Sequence, residues 1–154
     1  MIINNPEILE KLDRIIYDSN LSELQSSSKG LIKIEVLNMI SDGEGFGFSD
    51  IDNIFIISNK KIHLRFANNN FYNLNQTTLL ADFEVWIYRG SNLYYIIPKK
   101  IIKSIYDDPE AYRDHTNINL RVVSIDDLKD TCGYATNGQK IDISFYRNKT
   151  INDF

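Results

Sequence analysis

The spacing of apolar residues changes character along the chain. In the first forty positions it follows a helical period, and from about residue 51 onward it mostly alternates. Asn5-Pro6-Glu7 has the form of a helix start, with an Asn cap, a proline at the first helical position and an acid in the first turn. Ile8, Leu12, Ile15 and Ile16 then share one face of a helix expected to end near Tyr17. The polar, serine-rich stretch 18–28 reads as a linker or a ragged continuation of that helix. Residues 29–43, KGLIKIEVLNMISDG, fit two patterns. Leu31, Ile34, Leu37 and Met39/Ile40 suit a helix, whereas Ile32, Ile34 and Val36 alternate as a strand would. Length and the Ser-Asp-Gly stop favour the helix, which places Glu35 at the edge of its apolar face.

The segment Gly45–Ala67 is the stretch around which the remaining elements are arranged. Ile51–Ile57 is apolar enough for a central strand. Ser58-Asn59-Lys60-Lys61 is a turn, after which Ile62, Leu64 and Phe66 point one way and His63 and Arg65 the other. Asp82–Tyr88 sets Phe83, Val85 and Ile87 against Glu84, Trp86 and Tyr88, and turns at 89–92 into Leu93–Ile97 as a hairpin. Pro98 opens a basic amphipathic helix, KKIIKSIY, and Asp107-Asp108-Pro109 caps a short second one. Asn119–Val123 reads as a strand, IDDLKD as a helical turn, and Asn137-Gly138 as a type I′ hairpin leading to Ile141, Ile143 and Phe145 on one face. The fold class is α+β: a mixed central sheet flanked by helices, with about six strands and three or four helices.

A chain of 154 residues fits one domain. It divides into an N-terminal helix and linker (1–28), a core (29–123) and a C-terminal hairpin (124–154). With 43% hydrophobic residues it is too apolar for a disordered chain. A net charge of −4 argues against a protein that coats nucleic acid non-specifically, but not against a local basic groove. Cys132 is the only cysteine, so no internal disulfide forms, which suits a reducing cytoplasm. The first residues lack a basic region and a long apolar stretch, and no run approaches a membrane span; a cytoplasmic protein without a membrane role is expected.

Few residues carry a chemical signal, and each has an ordinary structural alternative. His63 and Arg65 can be a solvated strand face or pair with Asp50 or Asp52, and the two aspartates can be turn residues before a strand. Glu35 can be a surface helix acid. GEGFG leads into a strand and lacks the Lys-Ser/Thr of a phosphate loop. Trp86, Tyr94 and Tyr95 can stack on bases, although core packing is favoured.

The order of elements resembles the PD-(D/E)xK, restriction-endonuclease-like superfamily over roughly Lys29–Val123. The residues that carry the likeness are Lys29-Gly30…Glu35, Asp50-Ile51-Asp52 and Ile62-His63-Leu64-Arg65, with Asp82-Phe83…Tyr94-Tyr95-Ile96-Ile97-Pro98 and Leu120-Arg121-Val122 matching later strands. The resemblance implies a restriction-endonuclease-like core and a site in which Asp and Glu hold Mg²⁺ or Mn²⁺ while a Lys assists the attacking water. Asp52 or Asp50 then stands for the metal-binding Asp, with Glu35 as a helix acid that some members add. His63 occupies the place of the Glu, and Arg65 that of the Lys. Imidazole is a poor Mg²⁺ ligand, and arginine keeps its proton and cannot act as a base. The implied function is a metal-dependent DNA nuclease, or a nucleic-acid-binding subunit with a lost active site, acting alone or as a homodimer. Its nucleic-acid groove would be lined by Lys60, Lys61, Lys99, Lys100 and Lys103. The competing expectation is a non-enzymatic immunity-type or assembly module with a protein partner. It would use an acidic face of Asp107, Asp108, Glu110, Asp114, Asp126, Asp127 and Asp130.

Overall fold

A computed structural model describes residues 5–66, 71–74, 80–87, 94–107, 113–114, 121–124 and 144–154. Two helices come first, α1 (Pro6–Gln25) and α2 (Ser28–Ile40). The Asn5 side chain caps α1 by accepting from the Glu7 N–H at 3.0 Å, and Ser27 caps α2 by accepting from Gly30 at 3.0 Å. The serine-rich stretch is therefore a break of two residues, Ser26-Ser27, and α1 runs eight residues past Tyr17. Leu21 and Leu24 continue the helical spacing from Tyr17, and Leu24 packs against the core. Gly30 sits where the two helices touch: a Cβ there would run into the Leu24 carbonyl oxygen.

The main sheet has five strands: β1 (Gly47–Phe48), β2 (Ile54–Ile57), β3 (Lys60–Phe66), β5 (Phe83–Ile87) and β6 (Tyr94–Pro98). They lie side by side in the order β1-β2-β3-β5-β6. β1, β2 and β3 form an antiparallel meander, β3 pairs with β5 in parallel, and β5–β6 is the expected hairpin. A second sheet holds β4 (Phe71–Leu74), β8 (Arg121–Ser124) and β7 (Arg113–Asp114), in that order. Helix α3 (Lys99–Asp107) follows β6 directly, starting at the residue after Pro98. The α+β class is as the pattern implied.

β2 is shorter than its apolar run because Ser49–Asn53 makes a local turn. The Ser49 hydroxyl accepts from the Ile51 N–H at 3.1 Å and donates to the Ile54 carbonyl at 2.6 Å, while Asn53 takes a left-handed φ of 63°. The β2–β3 hairpin turns on two residues only, Ser58 (φ 50°) and Asn59 (φ 62°), so Lys60 and Lys61 already belong to the strand.

The sheet is buried on both faces. Phe55, Ile62, Leu64, Val85 and Ile96 pack with Val36, Leu37 and Ile40 of α2. The register places Ile54, His63, Glu84 and Ile97 in one row across the opposite face, and Arg65, Trp86 and Tyr95 in the next. That face also buries Ile54, Trp86, Tyr95 and Ile97, and α3 lies against β5 and β6 with Ile102 and Ile105 buried. The alternation in Phe83–Ile87 thus marks two buried faces, not a wet one, because β5 is central; Trp86, Tyr94 and Tyr95 are core.

The apolar face of α1 is not covered: Ile8, Leu9, Leu12, Ile15 and Ile16 are all exposed, Ile15 at 64%. Phe145 lies in a 3₁₀ turn (Ser144–Tyr146) and is 69% exposed, so it does not share a buried strand face. The short helix after Pro109, the IDDLKD turn, the Asn137-Gly138 hairpin, His115 and Cys132 lie outside the described residues. Among the described residues no helix is long and apolar enough to cross a membrane.

The last residues are tied to β6 through Tyr94. Its backbone N–H donates to Asn148 Oδ1 at 3.1 Å, its carbonyl accepts from the Asn148 N–H at 2.9 Å, and its hydroxyl donates to the Lys149 carbonyl at 2.8 Å. Burial, helped by the nearby Asp153 charge, pushes the Tyr94 hydroxyl up to about 12. Its folded value lies above the ordinary 10, so its contribution is complete below pH ~10 and lost as pH rises to ~12. Tyr94→Phe should cost about 0.5–1.5 kcal/mol in urea unfolding at neutral pH, and the gap to the unaltered chain should narrow across that alkaline window. Gly30→Ala should cost about 1–3 kcal/mol in the same assay, since the backbone of Leu24 must move to admit the methyl group.

Candidate functional site

A lone carboxylate lies at the centre of the main sheet. Glu84, on β5, is 1% exposed. An unpaired charge there would be costly, and the parallel register supplies partners from β3. His63 stands directly across from Glu84, and its Nδ1 lies 2.8 and 2.9 Å from the two carboxylate oxygens. Arg65, two residues on and on the same face, donates its Nε–H to Oε1 at 3.2 Å. His63 and Arg65 keep 14% and 20% exposure, so the trio runs from the buried centre of the sheet to its surface.

With Nδ1 on the carboxylate, the His63 ring is held in one orientation, and Nε2 is the nitrogen left for a ligand. Only the Nε of Arg65 is used, which leaves its two terminal NH₂ groups without a partner among the described residues.

More cations approach from the other face. Lys29 and Lys33 are one turn apart on α2, and their Nζ atoms lie 4.8 and 6.0 Å from the Phe66 ring centroid. Lys33 also donates to Asn53 Oδ1 at 2.6 Å. The six residues His63, Arg65, Phe66, Lys29, Lys33 and Asn53, with Leu64, line a cavity of about 240 Å³. The cavity exists because β2 begins at Ile54, opposite His63, and leaves the end of β3 unpaired on that side. Lys29, Lys33 and Asn53 also wall an adjoining cavity of about 370 Å³ that includes Asn20, Glu23, Phe48, Ser49 and Asp52.

The electrostatics mark the cluster as short of negative charge. Burial, and next the Lys29 ammonium, hold the Lys33 amine below its usual value, while Asp52 acts in the opposite direction. Three basic side chains, Arg65, Lys29 and Lys33, line the 240 Å³ cavity and no carboxylate does; Glu84 is spent on His63 and Arg65, and Asp52 lines the adjoining cavity.

The sequence candidates scatter around this centre. His63 and Arg65 are in it, but their acid is Glu84, not Asp50 or Asp52. Asp52 lies in the exposed turn and lines only the adjoining cavity; Asp50 is exposed in the same turn and lines neither. Glu35 is exposed and lines neither cavity, since two residues from Lys33 on a helix is nearly the opposite side. The divalent metal implied by the resemblance does not fit these residues. Among the described residues no three His, Cys, Asp or Glu side chains converge, and the acid nearest His63 is flanked by cations that repel a metal.

The lysines of the expected groove lie apart from this centre. Asp82 joins the start of β3 to the β6–α3 junction: its carboxylate accepts from the Lys61 N–H at 2.8 Å and its carbonyl from the Lys99 N–H at 2.9 Å. Lys60, Lys61, Lys99 and Lys100 therefore sit at the end of the sheet away from Arg65, about 13 Å along β3. Lys103 is paired with Asp107 at 2.8 Å. Of the proposed acidic face, Asp107 carries that pair, and Asp108, Glu110, Asp126, Asp127 and Asp130 lie outside the described residues.

Sequence reading missed Glu84, Lys29, Lys33 and Asn53 as site residues. Glu84 had a signal: one acid within the otherwise apolar FEVWI of a central strand must be paired. The lysines had none, because their role depends on where β2 stops. Comparison of the chain with family models, curated proteins and solved structures gives no match.

His63 bonds both oxygens of Glu84 and Arg65 only one, at longer range. His63→Ala should therefore destabilise the fold by about 1–3 kcal/mol in urea unfolding, and Arg65→Ala by less. The reverse order would show that the guanidinium, not the imidazole, keeps the carboxylate buried.

Proposed function

We propose that this chain binds nucleic acid by gripping phosphate groups in the cavity formed by Lys29, Lys33, His63 and Arg65. Of the two activities implied by the restriction-like resemblance, this is the binding subunit; the donor set speaks against the metal-dependent DNA nuclease. The observation that carries the reading is the convergence of three basic side chains and a histidine on one cavity of about 240 Å³. That is smaller than the site of a drug-sized ligand and suits a phosphate with its flanking atoms.

Three features support a phosphate over other anions. Arg65 is fixed by its Nε and offers a two-pronged fork, the geometry that takes two phosphate oxygens at once. Lys33 is desolvated beside a like charge, so an anion between Lys33 and Lys29 relieves a repulsion already present in the fold. The adjoining cavity, with Phe48 and the polar groups of Asn20, Glu23 and Asn53, gives room for a sugar and base next to the phosphate. A net charge of −4 is compatible with this, because the cations are gathered locally.

Fluorescence anisotropy with labelled single-stranded and duplex oligonucleotides tests the reading. Binding should weaken steeply between about 50 and about 200 mM salt. Lys29→Ala with Lys33→Ala should lower affinity for all sequences alike and reduce the salt slope by about 2, about 1 for each lysine. Salt-independent binding, or none, sinks the reading.

A second reading, a protein-interaction module, is favoured by one observation, the uncovered stripe on α1. The partner that fits it is a second copy of this chain. Glu10, Lys11, Asp13 and Arg14 border the stripe with both signs of charge, which lets two such helices pair antiparallel. Light scattering should then give a dimer that Ile15→Asp converts to a monomer.

A further inference from the structure

We propose that the His63 cavity cleaves RNA without a metal ion, His63 removing the proton of a ribose 2′-hydroxyl next to the bound phosphate. This rests on the nucleic-acid reading and adds to it a reaction, a substrate class and a catalytic residue.

The first ground is the state of His63. A general base needs a free lone pair at a fixed place, and both oxygens of the buried Glu84 hold Nδ1 as the donor nitrogen. Nε2 then carries the lone pair, on a ring that lines the cavity. A solvated surface histidine would have neither the fixed ring nor the fixed tautomer. Glu84 acts through His63 and is a positioning residue.

The second ground is the set of charges around His63. Charged groups face the cavity from two elements: Arg65 from β3, and Lys29 and Lys33 from α2. A phosphate attacked by an oxygen gathers negative charge on its non-bridging oxygens, and fixed cations at that point stabilise the transition state. The terminal NH₂ groups of Arg65 and the two ammonium groups are such cations.

The third ground selects RNA. The donor set does not fit a divalent metal, so the site has no means of generating a metal-bound hydroxide. A single imidazole base then needs a nucleophile already held against the phosphorus, and RNA carries one in its 2′-hydroxyl, which DNA lacks. O2′ attacks phosphorus and the O2′–P bond forms as the P–O5′ bond breaks. The 2′ proton goes to His63 Nε2, the departing O5′ takes a proton from water, and His63 returns its proton to solvent. The products are a 2′,3′-cyclic phosphate and a 5′-hydroxyl end.

The test is incubation of the full chain with a labelled single-stranded RNA in excess EDTA, beside a DNA of the same sequence and a DNA carrying one ribonucleotide. Cleavage of the RNA, and of the mixed strand only at its ribonucleotide, to 2′,3′-cyclic phosphate ends is the expected result. His63→Gln, whose amide can still donate to Glu84, should cut at least about 100-fold more slowly, a loss far larger than any change in its affinity for RNA. RNA that is bound but left intact in EDTA overturns this inference and leaves the binding reading standing. Neither binding nor cleavage overturns both. Cleavage that appears only with added Mg²⁺ or Mn²⁺, or that His63→Gln leaves undiminished, also overturns the inference. The mixed-strand substrate keeps the test decisive even where the variant fails to fold.

Discussion

The structure depends on the buried carboxylate of Glu84. β3 and β5 form the parallel pair that joins the antiparallel meander of β1–β3 to the β5–β6 hairpin. Register along such a pair is set mainly by burial, and here both faces are apolar, so apolar contact alone discriminates poorly between neighbouring alignments. A slip of one residue would place Glu84 opposite Ile62 or Leu64 and leave a charge in the core without a donor. The ion-paired row therefore acts as a pin for the alignment of the sheet. A buried ion pair adds little net stability over an apolar one, whereas removing one partner is costly, so its main effect here is to penalise the wrong alignment.

The same row brings chemistry to the surface only because β2 is short. Continued in its present register, β2 would set Asp52 opposite Arg65 and Ile51 opposite Phe66, and would cover the edge of β3 that now borders the cavity. The Ser49 hydroxyl and the left-handed Asn53 stop it at Ile54. A turn of five residues thus decides whether Lys33 meets a strand or an opening. Asn53 serves both purposes, since its carbonyl accepts from the Leu64 N–H at 2.9 Å and its side chain from Lys33.

Much of the architecture is legible in the sequence because it follows from local rules. The Asn-Pro-Glu start of α1, the helical length of α2, the β2–β3 hairpin and the β5–β6 hairpin passing into α3 all follow from caps, periodicity and turns. The parts that are not legible depend on neighbours that the pattern does not contain. Period-two alternation in FEVWI is the same whether a strand is central or at an edge, so the pattern presents Glu84 as the polar side of a hairpin. His63 and Arg65 stand out in the sequence as chemical residues, but the aspartates near them in sequence are not their partners; the glutamate nearest in space is. The apolar stripe on α1 looks like any core-facing helix, and its exposure is a tertiary fact.

The attachment of the last residues to Tyr94 has a consequence for chain length. The pairing of Tyr94 with Asn148 closes a loop of 54 residues between two fixed anchors. The entropy of closing a loop grows only with the logarithm of its length, a doubling adding about 0.6 kcal/mol, so the two anchors by themselves set little limit on the length between them. The limit comes from β7 and β8, which lie in that interval: β8 pairs with both β7 and β4, so a change of length is cheap only outside those strands. Such a change would leave the pinned row of β3 and β5 untouched.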